Sequence, residues 1–106
     1  MTRNELAGVA QVMRWEFIDT DSGGVLSDNQ VERRPWERIE DAHLLIERMV
    51  GDDYTVNIQI IPCPQPRYIM EAKRSNGRGY QLTLSHPTFP AAIVELFCRV
   101  FDIKED

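Results

Sequence analysis

Few residues of this chain could do chemistry, and they are scattered. Asp19-Thr20-Asp21-Ser22-Gly23-Gly24 sets two carboxylates just ahead of a glycine pair, in the manner of a calcium-binding loop. Counted from Asp19, however, the fifth position is Gly23 and the twelfth is Gln30, where a bidentate glutamate should stand, so the stretch reads as a polar, glycine-rich turn. The thiols of Cys63 and Cys98 and the imidazoles of His43 and His86 fit no zinc spacing, and no local signature couples a thiol to a histidine base. Cys63 lies in Pro62-Cys63-Pro64, with no sequence neighbour to lower its pKa. Cys98 falls inside a helical apolar pattern and is expected in the core. Glu71 and Glu95 form a carboxylate pair only if folding brings them together, and Gly77 and Gly79 belong to a hairpin rather than a phosphate cradle. The reading is of a protein that is not an enzyme, with no catalytic centre, cofactor or metal.

Charge points instead to binding. The chain has 106 residues with 12 Lys+Arg against 17 Asp+Glu, a formal charge of −5. Residues 1–57 carry six basic and twelve acidic side chains, and 58–106 carry six and five. Such an acidic front half disfavours nonspecific nucleic-acid binding, which relies on phosphate neutralisation, and suits a basic protein partner. Asp19, Asp21, Asp28 and Glu32, on a stretch expected to be a long loop over 19–34, are candidate partner contacts. So are Lys73, Arg74 and Arg78, which with Arg67 outweigh Glu71 and make one hairpin basic. The alternative for that hairpin is nucleic-acid binding, and the structural explanation is that its cations guard a sheet edge. Trp15 and Trp36 are expected either as core or as interface anchors. Leu44, Ile61 and Ile69, opposite the expected core, offer a surface for a homodimer or another partner.

The elements that hold these residues follow from periodicity. Thr2-Arg3-Asn4-Glu5 is a capping box, and Leu6, Val9, Ala10, Met13 and Phe17 follow helical spacing, predicting a helix from Arg3 to Trp15 or Phe17. Within 19–34, Val25-Leu26 could pack down as a short hairpin. Pro35 suits a helix start, and Trp36, Ile39, Ala42, His43, Ile46, Met49 and Val50 form a stripe that Gly51 ends. The period then becomes two: Tyr54, Val56, Ile58 and Ile60 predict one strand, Tyr68, Met70 and Ala72 a second, and Tyr80, Leu82 and Leu84 a third. Between the first two, Pro62-Cys63-Pro64-Gln65-Pro66 cannot continue a ladder. Asn76-Gly77 predicts a two-residue type I′ turn between the last two. Thr88 caps a final helix that buries Ala92, Ile93, Leu96, Phe97, Val100 and Phe101, and Lys104-Glu105-Asp106 is expected to fray. The expectation is a single α+β domain in the order α-α-β-β-β-α, its three-stranded antiparallel sheet packed with helices on one face.

Val9-Ala10-Gln11-Val12-Met13-Arg14-Trp15, Trp36-Glu37-Arg38-Ile39 and Pro90-Ala91-Ala92-Ile93-Val94-Glu95-Leu96-Phe97-Cys98-Arg99 together resemble the phage ABA sandwich domain, a small family from phages and prophages. Arg14 stands where that family usually has glycine, and the family's loop tryptophans are missing. The resemblance implies an αβββα core and a phage or prophage protein; it brings no catalytic residues. The function expected is that of a non-enzymatic accessory protein in the cytoplasm of the bacterial host. It would act as a monomer or homodimer by binding a host or phage protein, a defence factor included. The order αβββα also occurs in double-stranded-RNA-binding domains, but those open the last helix with a basic cluster, and here that turn is His86-Pro87-Thr88-Phe89-Pro90. No basic amino-terminal segment followed by an apolar run suggests secretion, and no run approaches the ~20 apolar residues of a membrane span.

Overall fold

The computed structural model describes residues 1–62, 67–74, 76–77, 79–84 and 88–104, with side chains left aside over 81–84. Cys63, Ser75, Arg78, His86 and the 105–106 end lie outside the described residues. Among the described residues, nine elements run in the order α1 (Arg3–Met13), β1 (Glu16–Ile18), β2 (Val25–Asp28), β3 (Val31–Arg33), α2 (Ile39–Gly51), β4 (Tyr54–Ile61), β5 (Arg67–Arg74), β6 (Gly79–Leu84) and α3 (Phe89–Val100). The α+β class is as expected, but there are two antiparallel sheets, β1-β2-β3 and β4-β5-β6, rather than one.

The 19–34 stretch is thus a loop only over 19–24 and at its turns, and the short hairpin that Val25-Leu26 suggested is there as β2 and β3. With Glu16–Ile18 it makes a meander in which Phe17 stands opposite Leu26 and Leu26 opposite Arg33. Leu26 is fully buried and anchors the sheet. Asn29 and Gln30 both take positive φ, 51° and 69°, and join β2 to β3 by a tight turn of the hand that suits a twisted hairpin. Gly24 lies flat against the Phe17 ring, with which any side chain would collide.

The helix ends also differ from expectation. The capping box forms at Thr2 and Glu5, but α1 stops at Met13 because Arg14 turns left-handed (φ 59°) and the Trp15 N–H donates back to the Ala10 carbonyl at 2.9 Å. Trp15 and Phe17 therefore leave the helix. Before α2, Pro35, Trp36 and Glu37 form a separate turn, closed by the Arg38 N–H on the Arg34 carbonyl at 2.8 Å, and Arg38 is the cap. Beyond α2 the left-handed residue is Asp53 (φ 68°), not Gly51. The buried positions of α2 are Asp41, Ala42, Leu45 and Met49, so Ile39, His43 and Val50 of the expected stripe are exposed.

β4 pairs with β5 from Tyr54 opposite Arg74 to Ile61 opposite Arg67, and β5 with β6 from Tyr68 opposite Leu84 to Lys73 opposite Gly79. The expected hairpin exists, but a two-residue turn centred on Asn76-Gly77 would put Lys73 opposite Tyr80. The observed register is one residue away, with the Gly77 N–H on the Arg74 carbonyl at 3.0 Å and Gly77 at φ 91°. Tyr68, Met70 and Ala72 face the core as predicted, and α2 and α3 cover that face. Ile60, also expected there, lies at the margin and is exposed.

α3 is the centre of the molecule. Thr88 caps it, Pro90 sits in its first turn, and Ala92, Ile93, Leu96, Phe97 and Val100 of the predicted face are buried, as is the expected Cys98, together with Val94; Phe101 is the C-cap and only partly buried. It touches β5, β6, α2 and α1, and α1 in turn carries β1 and β2. After α3 the chain turns left-handed at Asp102 (φ 54°) and the Ile103 N–H returns to the Cys98 carbonyl at 2.8 Å. Ile103 then packs against Gly8, where an added Cβ would come within 2.6 Å of it. The buried residues of both sheets and all three helices form one cluster.

Candidate functional site

A groove of about 640 Å³ runs between α1 and the outer side of α3 and is walled by Trp36. Ala91, Val94 and Cys98 repeat at helical spacing along α3 and make its floor. Met1 and Ile103 add apolar wall, and Glu5, Glu95 and Arg99 stand among its lining residues. Glu5 is held in place by its capping-box bond, its Oε1 accepting from the Thr2 N–H at 2.9 Å. At one end Thr88 accepts from the Ala91 N–H at 3.3 Å, fixing the first turn of α3. Burial pushes the Cys98 thiol up to about 12, with the Glu5 and Glu95 carboxylates adding to the rise. The thiol is thus a neutral floor group at physiological pH, not a nucleophile. The groove combines an apolar floor with a rim of mixed charge, Glu5 and Glu95 standing with Arg99.

The residues chosen from sequence are placed differently. The register of the meander separates its acids: Asp19 and Asp21 follow β1 at one end of β2, while Asp28 and Glu32 flank the β2–β3 turn at the other. Most of them meet the chain's own arginines. Asp19 accepts from Arg3 Nε at 2.8 Å, Asp28 lies 3.4 Å from Arg33, and Glu32 lies 3.4 and 3.6 Å from Arg34 and Arg38. Asp21 is exposed. In the basic hairpin, Lys73 is exposed on the uncovered sheet face. Arg74 instead bonds Asp52 Oδ2 at 2.6 Å and lies 4.7 Å over the Tyr54 ring. Arg78 lies outside the described residues. Ile61 and Ile69 share the uncovered face, but Leu44 is on α2, against the opposite face, so the three make no common patch. Trp15 and Trp36 are both half-buried against the core.

Asp41, 2% exposed, is the buried ion that sequence reading did not single out. It accepts from Arg33 Nη1 at 3.0 Å and from the Arg34 N–H at 2.8 Å, tying β3 to the first turn of α2. The groove was missed for a related reason. The signal was present in α3, whose apolar residues exceed one stripe and so call for cover on two sides. Among the described residues no group of three or more His, Cys, Asp or Glu is placed to hold a metal ion, and no helix is long and apolar enough to cross a membrane. Comparisons with protein-family models, with curated proteins and with solved structures each find no match.

Proposed function

We propose that the chain is a non-enzymatic protein-binding module whose α1–α3 groove receives an apolar side chain, flanked by a basic residue, from a partner protein. The observation that carries this reading is the apolar floor of Ala91, Val94 and Cys98 beneath a rim where two carboxylates, Glu5 and Glu95, outnumber the Arg99 guanidinium. The overall charge of −5 favours the same kind of partner. Together with the stretches that resemble the phage ABA sandwich domain, the reading extends to a phage or prophage accessory protein acting on a host or phage protein, a defence factor included. Nucleic-acid binding through the 73–78 hairpin is the weaker reading, since Arg74 is committed to Asp52 and Tyr54 and leaves Lys73 as the exposed cation there among the described residues.

The test is affinity capture from host lysate with and without nuclease, repeated with Ala91→Gln. Glutamine three residues after the Thr88 cap completes a second capping box, so the variant keeps α3 while filling the groove. A protein retained after nuclease treatment by the wild type, and lost in Ala91→Gln, supports the groove. Capture that disappears with nuclease, or that Ala91→Gln leaves intact, overturns it.

A further inference from the structure

The sheet order β4-β5-β6 leaves the outer edge of β4 without a strand among the described residues. That edge is long and unguarded. Its eight residues, Tyr54-Thr55-Val56-Asn57-Ile58-Gln59-Ile60-Ile61, include no charge, glycine or proline. Edge strands are ordinarily blunted by lysine, proline, a bulge or brevity, because their free N–H and C=O groups template further pairing.

The helix above this edge is apolar on the matching side. Along α2, Ile39, His43, Ile46 and Val50 fall at i, i+4, i+7 and i+11 and so share one stripe, apolar except for His43, whose Nε2 lies 3.4 Å from Glu47 Oε1. Ile39 is 49% and Val50 54% exposed. The opposite flank of α2 is occupied within the molecule: Arg48 donates to the Val12 carbonyl at 3.4 Å and lies 5.4 Å over Phe101, and Asp41 holds Arg33 and Arg34. The stripe therefore points away from α3, toward the side where β4 is open. Ile60, on the same face of the sheet and 57% exposed, continues it.

We infer that this edge pairs with a second copy of the chain. The two β4 strands run antiparallel about a two-fold axis, two three-stranded sheets become one of six, and the α2 stripes meet beside the joint. An identical partner is the occupant that both features fit at once. Antiparallel self-pairing sets Val56, Ile58 and Ile60 against the same residues of the copy, with no charge on either strand, and the two-fold axis sets apolar stripe against apolar stripe. A strand of this length spans about 27 Å. With a helix alongside it offers a strip on the order of 500 Å² in projection, approaching the ~800 Å² that each partner buries in a stable complex. The surface is separate from the groove, which lies on the far side of α3, so either can fail without the other.

The test is mass in solution, by light scattering or sedimentation over a concentration series, on the wild type, Ile60→Lys and Ile39→Glu. Lysine at 60 puts a guard on the edge. Glutamate at 39 stands on the first residue of α2, where a negative charge suits the helix, so loss of fold does not confound it. The expected result is a wild-type mass of twice 12.3 kDa and dimers weakened roughly tenfold or more in each variant. Slow exchange at the outward-facing amides between Val56 and Ile60, those not directed at β5, should be lost in Ile60→Lys. A wild type that remains monomeric at millimolar concentration overturns the inference, as does a dimer that neither variant weakens, including one held through some other face.

Discussion

The two sheets of this molecule are held in opposite ways. β4-β5-β6 presents Tyr68, Met70 and Ala72 to α2 and α3, and its cohesion is apolar burial over eight-residue strands. β1-β2-β3 has strands of three or four residues and Leu26 as its one fully buried side chain. Phe17 packs beside it against the core, and the rest of its attachment is polar: Asp41 and Asp28 share the Arg33 guanidinium, and Arg3 reaches across to Asp19 and to the Thr20 and Gly23 carbonyls. A sheet too small to bury much apolar area is fixed by directional bonds instead, and those depend on individual residues rather than on a pattern.

The sharpest way to break this comparison is to remove one residue of each kind. Phe97→Ala takes a fully buried ring from the common core and should cost about 3–5 kcal/mol in urea unfolding, lowering amide protection throughout both sheets. Asp41→Ala should cost about 2 kcal/mol, because the Arg34 N–H loses its acceptor and the partly buried Arg33 guanidinium, whose Nε has no partner among the described residues, is left with Asp28 alone at 3.4 Å. Its signature should be local, with β2 and β3 amides exchanging first while β5 stays protected. Replacing the pair together, Arg33→Met with Asp41→Leu, should recover only part of the loss, because the Arg34 N–H still lacks its acceptor. Equal loss of protection in both sheets after Asp41→Ala would show that the meander is not separately held.

The same contrast explains what could be read from the chain. Alternation over eight residues announced β4 and β5, and Thr2, Glu5 and Thr88 announced two helix starts, because each is a local rule acting on adjacent residues. The meander carries only the Val25-Leu26 pair as a signal. Its strands are no longer than two periods of alternation, its turn uses Asn29 and Gln30 rather than glycine, and its anchor to α2 is a carboxylate that in sequence looks like any solvated acid. Pro35 was misleading for the same reason: it satisfies the rule for a helix start, but the turn it occupies ends at Arg38, and α2 begins only at Ile39. The groove needed α1, α3 and Trp36 together, a juxtaposition that no segment announces.

Titration offers a smaller effect that belongs to the apolar region. The folded Cys98 thiol stands at about 12 against an ordinary value near 9, raised first by burial and then by Glu5 and Glu95. A raised folded value means the contribution is complete below about pH 9 and is lost as pH climbs toward 12. Over that window wild-type stability should fall by about 1 kcal/mol per pH unit more than that of Cys98→Ala, in which the term is missing. Parallel alkaline profiles would mean that the groove floor admits solvent and that the thiolate is tolerated there.

The smallest effect lies where the two regions join. Arg14 ends α1 and starts the path into β1, holding φ 59° and ψ 36° while its N–H bonds the Ala10 and Gln11 carbonyls. A side chain in that conformation crowds its own backbone by roughly 1–2 kcal/mol, a strain that glycine does not feel. Glycine also loses more freedom on folding, which returns part of the gain. Arg14→Gly should therefore raise stability by about 0.5 kcal/mol, read as a higher urea midpoint with an unchanged slope. Asp102→Gly, at the corresponding left-handed end of α3, should gain less, because aspartate tolerates that region better than arginine does. A loss at Arg14 instead would mean that its exposed side chain makes a contact favourable enough to outweigh the strain, and would move the boundary between the two regions from the backbone of α1 to the surface around it.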